Sequence, residues 1–221
     1  GFELQLFPYP LPGSDQSSAW TGLRRFQPDL IVHWAFSAMH VVAAKEAKRN
    51  GVPLDRLVSV NWFNEVDLNN IGLEAAKGIR RSTTVVSGTE HPLVKDILTQ
   101  LYDKGKGSGD RKFVSDIYYT TGLAIYAPIF EAARLALKSE KAPLTAAKMR
   151  KGLESLRNYD AGGLLPPLTV TAKDHGGGGK TRIEMWDGAK WVPQTDWFAA
   201  YQDIVGQVVK EQSAEFAKSN K

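Results

Sequence analysis

The chain has 221 residues, 43% of them hydrophobic and 10% aromatic, enough to bury one sizeable core or two small ones. It carries no cysteine, which excludes disulfides, thiolate metal sites and a cysteine nucleophile. Its net charge of +4 comes from lysines and arginines scattered among 24 acidic residues, so it reads as a solvated surface and not as a nucleic-acid stripe.

Apolar runs such as Leu30 to Val32 and Val41 to Ala44 fall far short of the roughly 20 residues that cross a bilayer. The opening residues GFELQLFPYP lack the pattern of a signal peptide, so any export signal is expected to be removed or to lie upstream. Cysteine usage leaves the compartment open, since it suits an oxidising space or a thiol-independent cytosolic protein.

In chain order, Phe2 to Phe7 reads as a short apolar strand and Ser17 to Phe26 as a helix ended before Pro28. Asp29 to Trp34 (DLIVHW) is nearly continuous in apolar residues, as expected of a parallel strand covered on both faces. Phe36, Met39, Ala43 and Ala47 then recur at helical spacing, with Asn50-Gly51 as the C-cap. Arg56 to Asn61 is strand-like, Leu68 to Lys77 a short helix, and Gly78 leads into a strand over Ile79 to Val86. The unit is β-α-β-α-β-α-β, a parallel sheet with helices on both faces.

Three helical segments follow with no strand between them: Pro92 to Lys104, Val114 to Lys138 and Pro143 to Leu156. Gly105 to Asp110 is a flexible linker, Pro128 is expected to kink the middle helix, and Pro143 suits the first turn of the third. Beyond Gly162 the pattern turns β-like, with Leu168 to Thr171 alternating and RIEMW and KWV joined at Asp187-Gly188 as a hairpin. Trp197 to Phe216 is an amphipathic helix.

Several motifs imitate chemistry without its context. DHGGGGKT, Asp174 to Thr181, has Asp174 where a phosphate-binding loop needs its first glycine, and a strand follows where a helix must begin. Gly105, Gly107 and Gly109 have the wrong spacing for a dinucleotide fingerprint. The four histidines, His33, His40, His91 and His175, form no H-E-x-x-H and no i, i+4 pair, so no metal and no cofactor is expected. A nucleophilic triad is disfavoured by the absence of a G-x-S-x-G elbow, although spacing alone does not exclude one.

Ligands of open α/β sheets bind at the C-terminal ends of the strands. One such end supplies His33, Trp34 and Phe36; the next supplies Asn61, Trp62, Phe63 and Glu65. Rings with a few polar groups suit a small, partly apolar ligand. Trp34 and Trp62 fit ligand stacking and sheet-edge packing equally, whereas Phe36 and Phe63 fit packing better.

The order of elements, with FQPDLIVHW, KEAKRNGVP, NIGLEAAKGI, YYTTGLAIYAPIFEAARLAL and KDHGGGGKTRIEMWDGAKWV, resembles the substrate-binding proteins of branched-chain amino acid type ABC importers. The resemblance implies the α/β type I periplasmic binding protein fold, two Rossmann-like lobes joined by three crossovers with ligand in the cleft. It covers the later part of such a protein, so the fold is expected to be incomplete, most of the second lobe plus helices of the first. On this mapping residues 1–86 belong to the second lobe and 87–178 return to the first. Residues 179–195 form a closing hairpin of the second lobe, and 196–221 a helical tail.

The resemblance further implies an exported receptor, periplasmic or anchored at the cell surface and monomeric when intact. It would deliver a small amino acid, amide or aromatic or apolar carboxylate to a membrane ABC permease without chemistry. The same fold also serves ligand-sensing domains of receptors and regulators, and an α/β enzyme is the remaining alternative. In amino-acid-binding relatives an aromatic residue follows the strand equivalent to DLIVHW, which matches Trp34 or its neighbours. An acidic residue follows the next strand, and here that position falls on Asn61, with Glu65 a substitute only if the loop bends inward. The expected ligand contacts are His33, Trp34, Phe36, Asn61, Trp62 and Glu65.

Overall fold

The computed structural model of the chain describes residues 1–139 and 141–219. Three short parallel strands form its centre: β1 (Ile31–His33), β2 (Leu57–Ser59) and β3 (Arg80–Thr83). Ile31 lies opposite Leu57 and Val58 opposite Arg80. Two antiparallel strands, β4 (Arg182–Trp186) and β5 (Trp191–Pro193), extend this to a five-stranded sheet in the order β1-β2-β3-β4-β5. The expected hairpin is therefore present, and Asp187 Oδ1 accepts the backbone N–H groups of Ala189 and Lys190 across its turn.

Helix α1 (Ser17–Phe26) leads into β1, and α2 (Ala38–Asn50) and α3 (Glu65–Ile71) connect the parallel strands. Gly51 ends α2 at φ 67, the left-handed cap that Asn50-Gly51 announces. α3 begins at Glu65, three residues before the expected start, because Asn64 and Asp67 form a reciprocal capping box. Gly72 then closes it at φ 99, well before Lys77. Trp20, Leu23, Ile31, Ala43, Leu57, Phe63, Leu68, Ile79 and Trp186 make one continuous apolar core around these elements.

Two expectations for the sheet fail. Phe2 to Phe7 forms no strand, and Phe2, Leu4 and Leu6 are exposed; prolines at 8, 10 and 12 remove the N–H donors that would prolong a ladder there. Only Phe7 is retained, packed on Gly22 and 5.8 Å from the Phe26 ring. In β1 both faces were expected to be covered, yet Val32 is 67% exposed between buried Ile31 and His33. Helices cover one face of this edge strand, so apolar content overstated its burial.

The later part is helical. α4 (Pro92–Ile97) runs into a π-helical turn over Leu98–Tyr102. α5 (Ile117–Ser139) contains Pro128, and α6 (Ala146–Leu153) packs against it. Pro143 was expected in the first turn of α6, but Thr145 is the N-cap and Pro143 precedes it. Val85, Ile117 and Leu164 form a second, smaller core. The glycine run 176–179 is a loop leading into β4, as its sequence context required. α7 (Gln202–Ser219) lies with every described residue exposed, Ile204, Val205, Val208 and Val209 among them.

Candidate functional site

Beyond β1 the chain alternates, with Trp34 76% exposed, Ala35 buried and Phe36 48% exposed. The pleat thus sends both rings outward while Ala35 anchors the segment. Ser37 follows with φ 48 and ψ −134, a conformation rare for a side-chain-bearing residue. Its carbonyl accepts from the backbone N–H of His40 at 2.9 Å and lies 3.1 Å from His40 Nδ1, which holds the turn.

At the end of β2, the Phe63 N–H donates to the Val60 carbonyl at 3.3 Å, so Asn61 and Trp62 occupy the middle of a β-turn and project from it. Phe63 turns inward and is 1% exposed, its ring stacked 4.6 Å from that of His40. Trp62 is 41% exposed and meets the edge of Phe36 at 6.5 Å. The structure therefore brings Trp34, Phe36, Asn61 and Trp62 to one end of the sheet.

Tyr118, on the first turn of α5, adds to this rim by donating its hydroxyl to the Trp62 carbonyl at 3.0 Å. It was not foreseen. Its helix is remote in sequence from the strand ends, and an aromatic at a helix start carries no local signal of this contact.

His33 stands apart from the rim. It is buried beside His40, their rings 5.3 Å apart edge to face, with Nε2 2.9 Å from the Tyr9 hydroxyl. Burial, aided by His40, lowers its pKa to about 3, so the ring is neutral. Its Nδ1 is buried without a hydrogen-bond partner among the described residues.

Glu65 lies 25% exposed with both carboxylate oxygens engaged. Oε1 accepts from Ser87 Oγ at 2.8 Å and lies 3.5 Å from Arg81 Nη1; Oε2 accepts from the Ile117 N–H at 2.9 Å. Glu65 thereby ties α3 to the start of α5. Neighbouring Asp116 has its pKa raised to about 6 by burial, with the nearby charge of Glu65 adding to the effect.

Behind Glu65 sits Arg81, wholly buried. It donates to the Phe63 carbonyl at 2.8 Å, to Ser87 Oγ at 2.6 Å and to Glu184 at 3.1 Å, and lies 4.0 Å over the Trp191 ring. The alternation in RRST and RIEMW places Arg81 and Glu184 inward at matching register, a signal legible only once the two strands are known to pair.

Ser59, His40 and Asp67 line up in the order of a nucleophilic triad, with Ser59 Oγ 2.6 Å from His40 Nε2 and His40 Nδ1 3.5 Å from Asp67. The Ser37 carbonyl is the closer partner of Nδ1, so Nδ1 carries the proton and Nε2 accepts from Ser59. All three are at most 3% exposed, so Ser59 offers no surface to a substrate. The arrangement clamps α2 and α3 to β2.

Among the described residues no group of three His, Asp or Glu side chains is placed to hold a metal ion, and no helix is long and apolar enough to cross a membrane.

A family model described as periplasmic binding protein matches residues 1–190. A solved structure from the Pseudomonas fluorescens group, described as an ABC transporter permease, is 34% identical with a TM-score of 0.84 over 95% of this chain and 53% of that one. A branched chain amino acid ABC transporter structure from Thermus thermophilus with bound valine is 20% identical, TM-score 0.70, over 86% of this chain and 51% of that one. A fatty acid ABC transporter substrate-binding protein from Thermomonospora curvata is 20% identical, TM-score 0.64, over 86% and 48%. The chain spans about half the length of these structures. No curated protein sequence matches it.

Proposed function

Because this chain belongs to the periplasmic binding protein family and has the type I fold, we propose that it forms the ligand-gripping part of a solute receptor for an ABC importer. The observation that carries this reading is the rim of Trp34, Phe36 and Trp62 at the C-terminal ends of adjacent parallel strands. These rings stay exposed although the core beneath them is closed by Ala35 and Phe63. Exposed rings at this end of an open sheet suit stacking against a small ligand.

On this reading residues 1–86 and 179–195 make one lobe and residues 87–178 supply helices to the other, with ligand between them. Closure shifts a hinge equilibrium that a membrane permease recognises, in an exported and monomeric protein. No bond is made or broken. The solute is a small amino acid, amide or apolar carboxylate; Trp34, Phe36 and Trp62 stack on it while Asn61 orients it. His33 and Glu65 act behind the rim, His33 through Tyr9 and His40, Glu65 through Arg81 and Ile117.

Titrating the intact protein with such solutes while recording tryptophan fluorescence and thermal midpoint tests the reading. Binding is expected to perturb both, and Trp34→Ala and Trp62→Ala are each expected to weaken it about tenfold or more. Undiminished binding by both variants would remove the rim from the site.

A further inference from the structure

The rim has rings and neutral hydrogen-bonding groups but no carboxylate at liberty. Three acidic side chains among the described residues lie at this end of the sheet, and each is either engaged or buried. Both oxygens of Glu65 are taken by Ser87, Arg81 and the Ile117 N–H. Asp67 is 3% exposed and caps α3 through Asn64. Asp116 is 6% exposed; its Oδ1 accepts from the Tyr118 N–H at 2.8 Å, and its Oδ2 is buried away from the surface with no hydrogen-bond partner among the described residues.

Glu65 turning outward would give up its hydrogen bonds from Ser87 and the Ile117 N–H and leave wholly buried Arg81 with Glu184 alone as a carboxylate partner among the described residues. What remains for a ligand is neutral: the indole N–H groups of Trp34 and Trp62 and the side-chain amide of half-buried Asn61, none of them held by a hydrogen bond within the described residues.

We propose, resting on the receptor reading above, that the solute presents to this lobe a flat or apolar face and a hydrogen-bond acceptor, and that it bears no ammonium there. The class is an apolar or aromatic carboxylate, or its amide, and excludes the free α-amino acids. An ammonium set against these rings would exchange water for the ring faces and the Asn61 carbonyl oxygen, a weaker return than the full opposing charge of a carboxylate. A carboxylate or carbonyl oxygen instead meets N–H donors.

The test uses two pairs of probes that differ only by the α-ammonium: 3-phenylpropanoate against phenylalanine, and 4-methylpentanoate against leucine. Calorimetric titration of the intact protein is expected to give about tenfold or greater preference for the deaminated member of at least one pair. Asn61→Asp, which places a carboxylate on the same turn, is expected to reverse that preference, with circular dichroism confirming an unchanged fold. Equal or tighter binding of the amino acid by the natural protein overturns the inference and leaves the receptor reading standing. Failure to bind any of the four overturns the receptor reading itself.

Discussion

Arg81 and Glu184 face each other across the β3–β4 ladder, their side chains 3.1 Å apart and at most 2% exposed. This ion pair joins the parallel part of the sheet to a strand distant in sequence, at the point where the Glu65 contacts also converge. A buried pair adds little over a well-packed apolar pair, but removing one partner strands the other charge.

Glu184→Gln is therefore expected to destabilise the fold by about 3 kcal/mol, because Arg81 keeps its hydrogen bonds to the Phe63 carbonyl and Ser87 but loses its nearer carboxylate and is left with the longer contact to Glu65. Urea denaturation of the two proteins measures the difference. A midpoint unchanged from the natural protein would show that the network relaxes around the loss.

His33 gives the fold an acid sensitivity. Its pKa falls from the usual 6.5 to about 3 on burial, so the unfolded chain binds the extra proton in that window. Its contribution is complete above pH 6.5 and declines as the pH falls toward 3, by an amount on the order of a few kcal/mol. Thermal midpoints measured across this range should drop on acidification, and His33→Phe should flatten that part of the profile.

Asp116 acts in the opposite sense. Its folded pKa, about 6, lies above the ordinary 3.8, so the native state holds the proton more tightly and stability falls as pH rises through this interval. Asp116→Asn keeps an acceptor for the Tyr118 N–H and removes the charge beside Glu65. The variant is expected to be more stable than the natural protein at pH 7, with the gain vanishing below pH 4.

Gly152 fixes the approach of α6 to α5. A Cβ added there would overlap the backbone carbonyl of Ala132, which no rotamer change relieves. Gly152→Ala is expected to cost about 2 kcal/mol or more despite the better helix propensity of alanine, read as a lower thermal midpoint.

Much of this was legible from residues alone. Gly51 was readable as a helix cap because a left-handed residue after an apolar-periodic stretch has a local cause. The hairpin around Asp187-Gly188 was equally local. What misled was Val32, whose apolar side chain says nothing about which neighbours arrive, and Phe2 to Phe7, where alternation promises a strand and the following prolines deny it a ladder.

The sequence by itself determined the α/β order and put aromatic side chains at two strand ends, because periodicity, caps and turns are properties of adjacent residues. Only the tertiary structure decided which acidic groups were already committed. Glu65 reads as an available carboxylate until Arg81, Ser87 and Ile117 are brought to it from 16, 22 and 52 residues away. Charge compensation of that kind is a matter of distance in space, and the spacing of residues along the chain does not encode it.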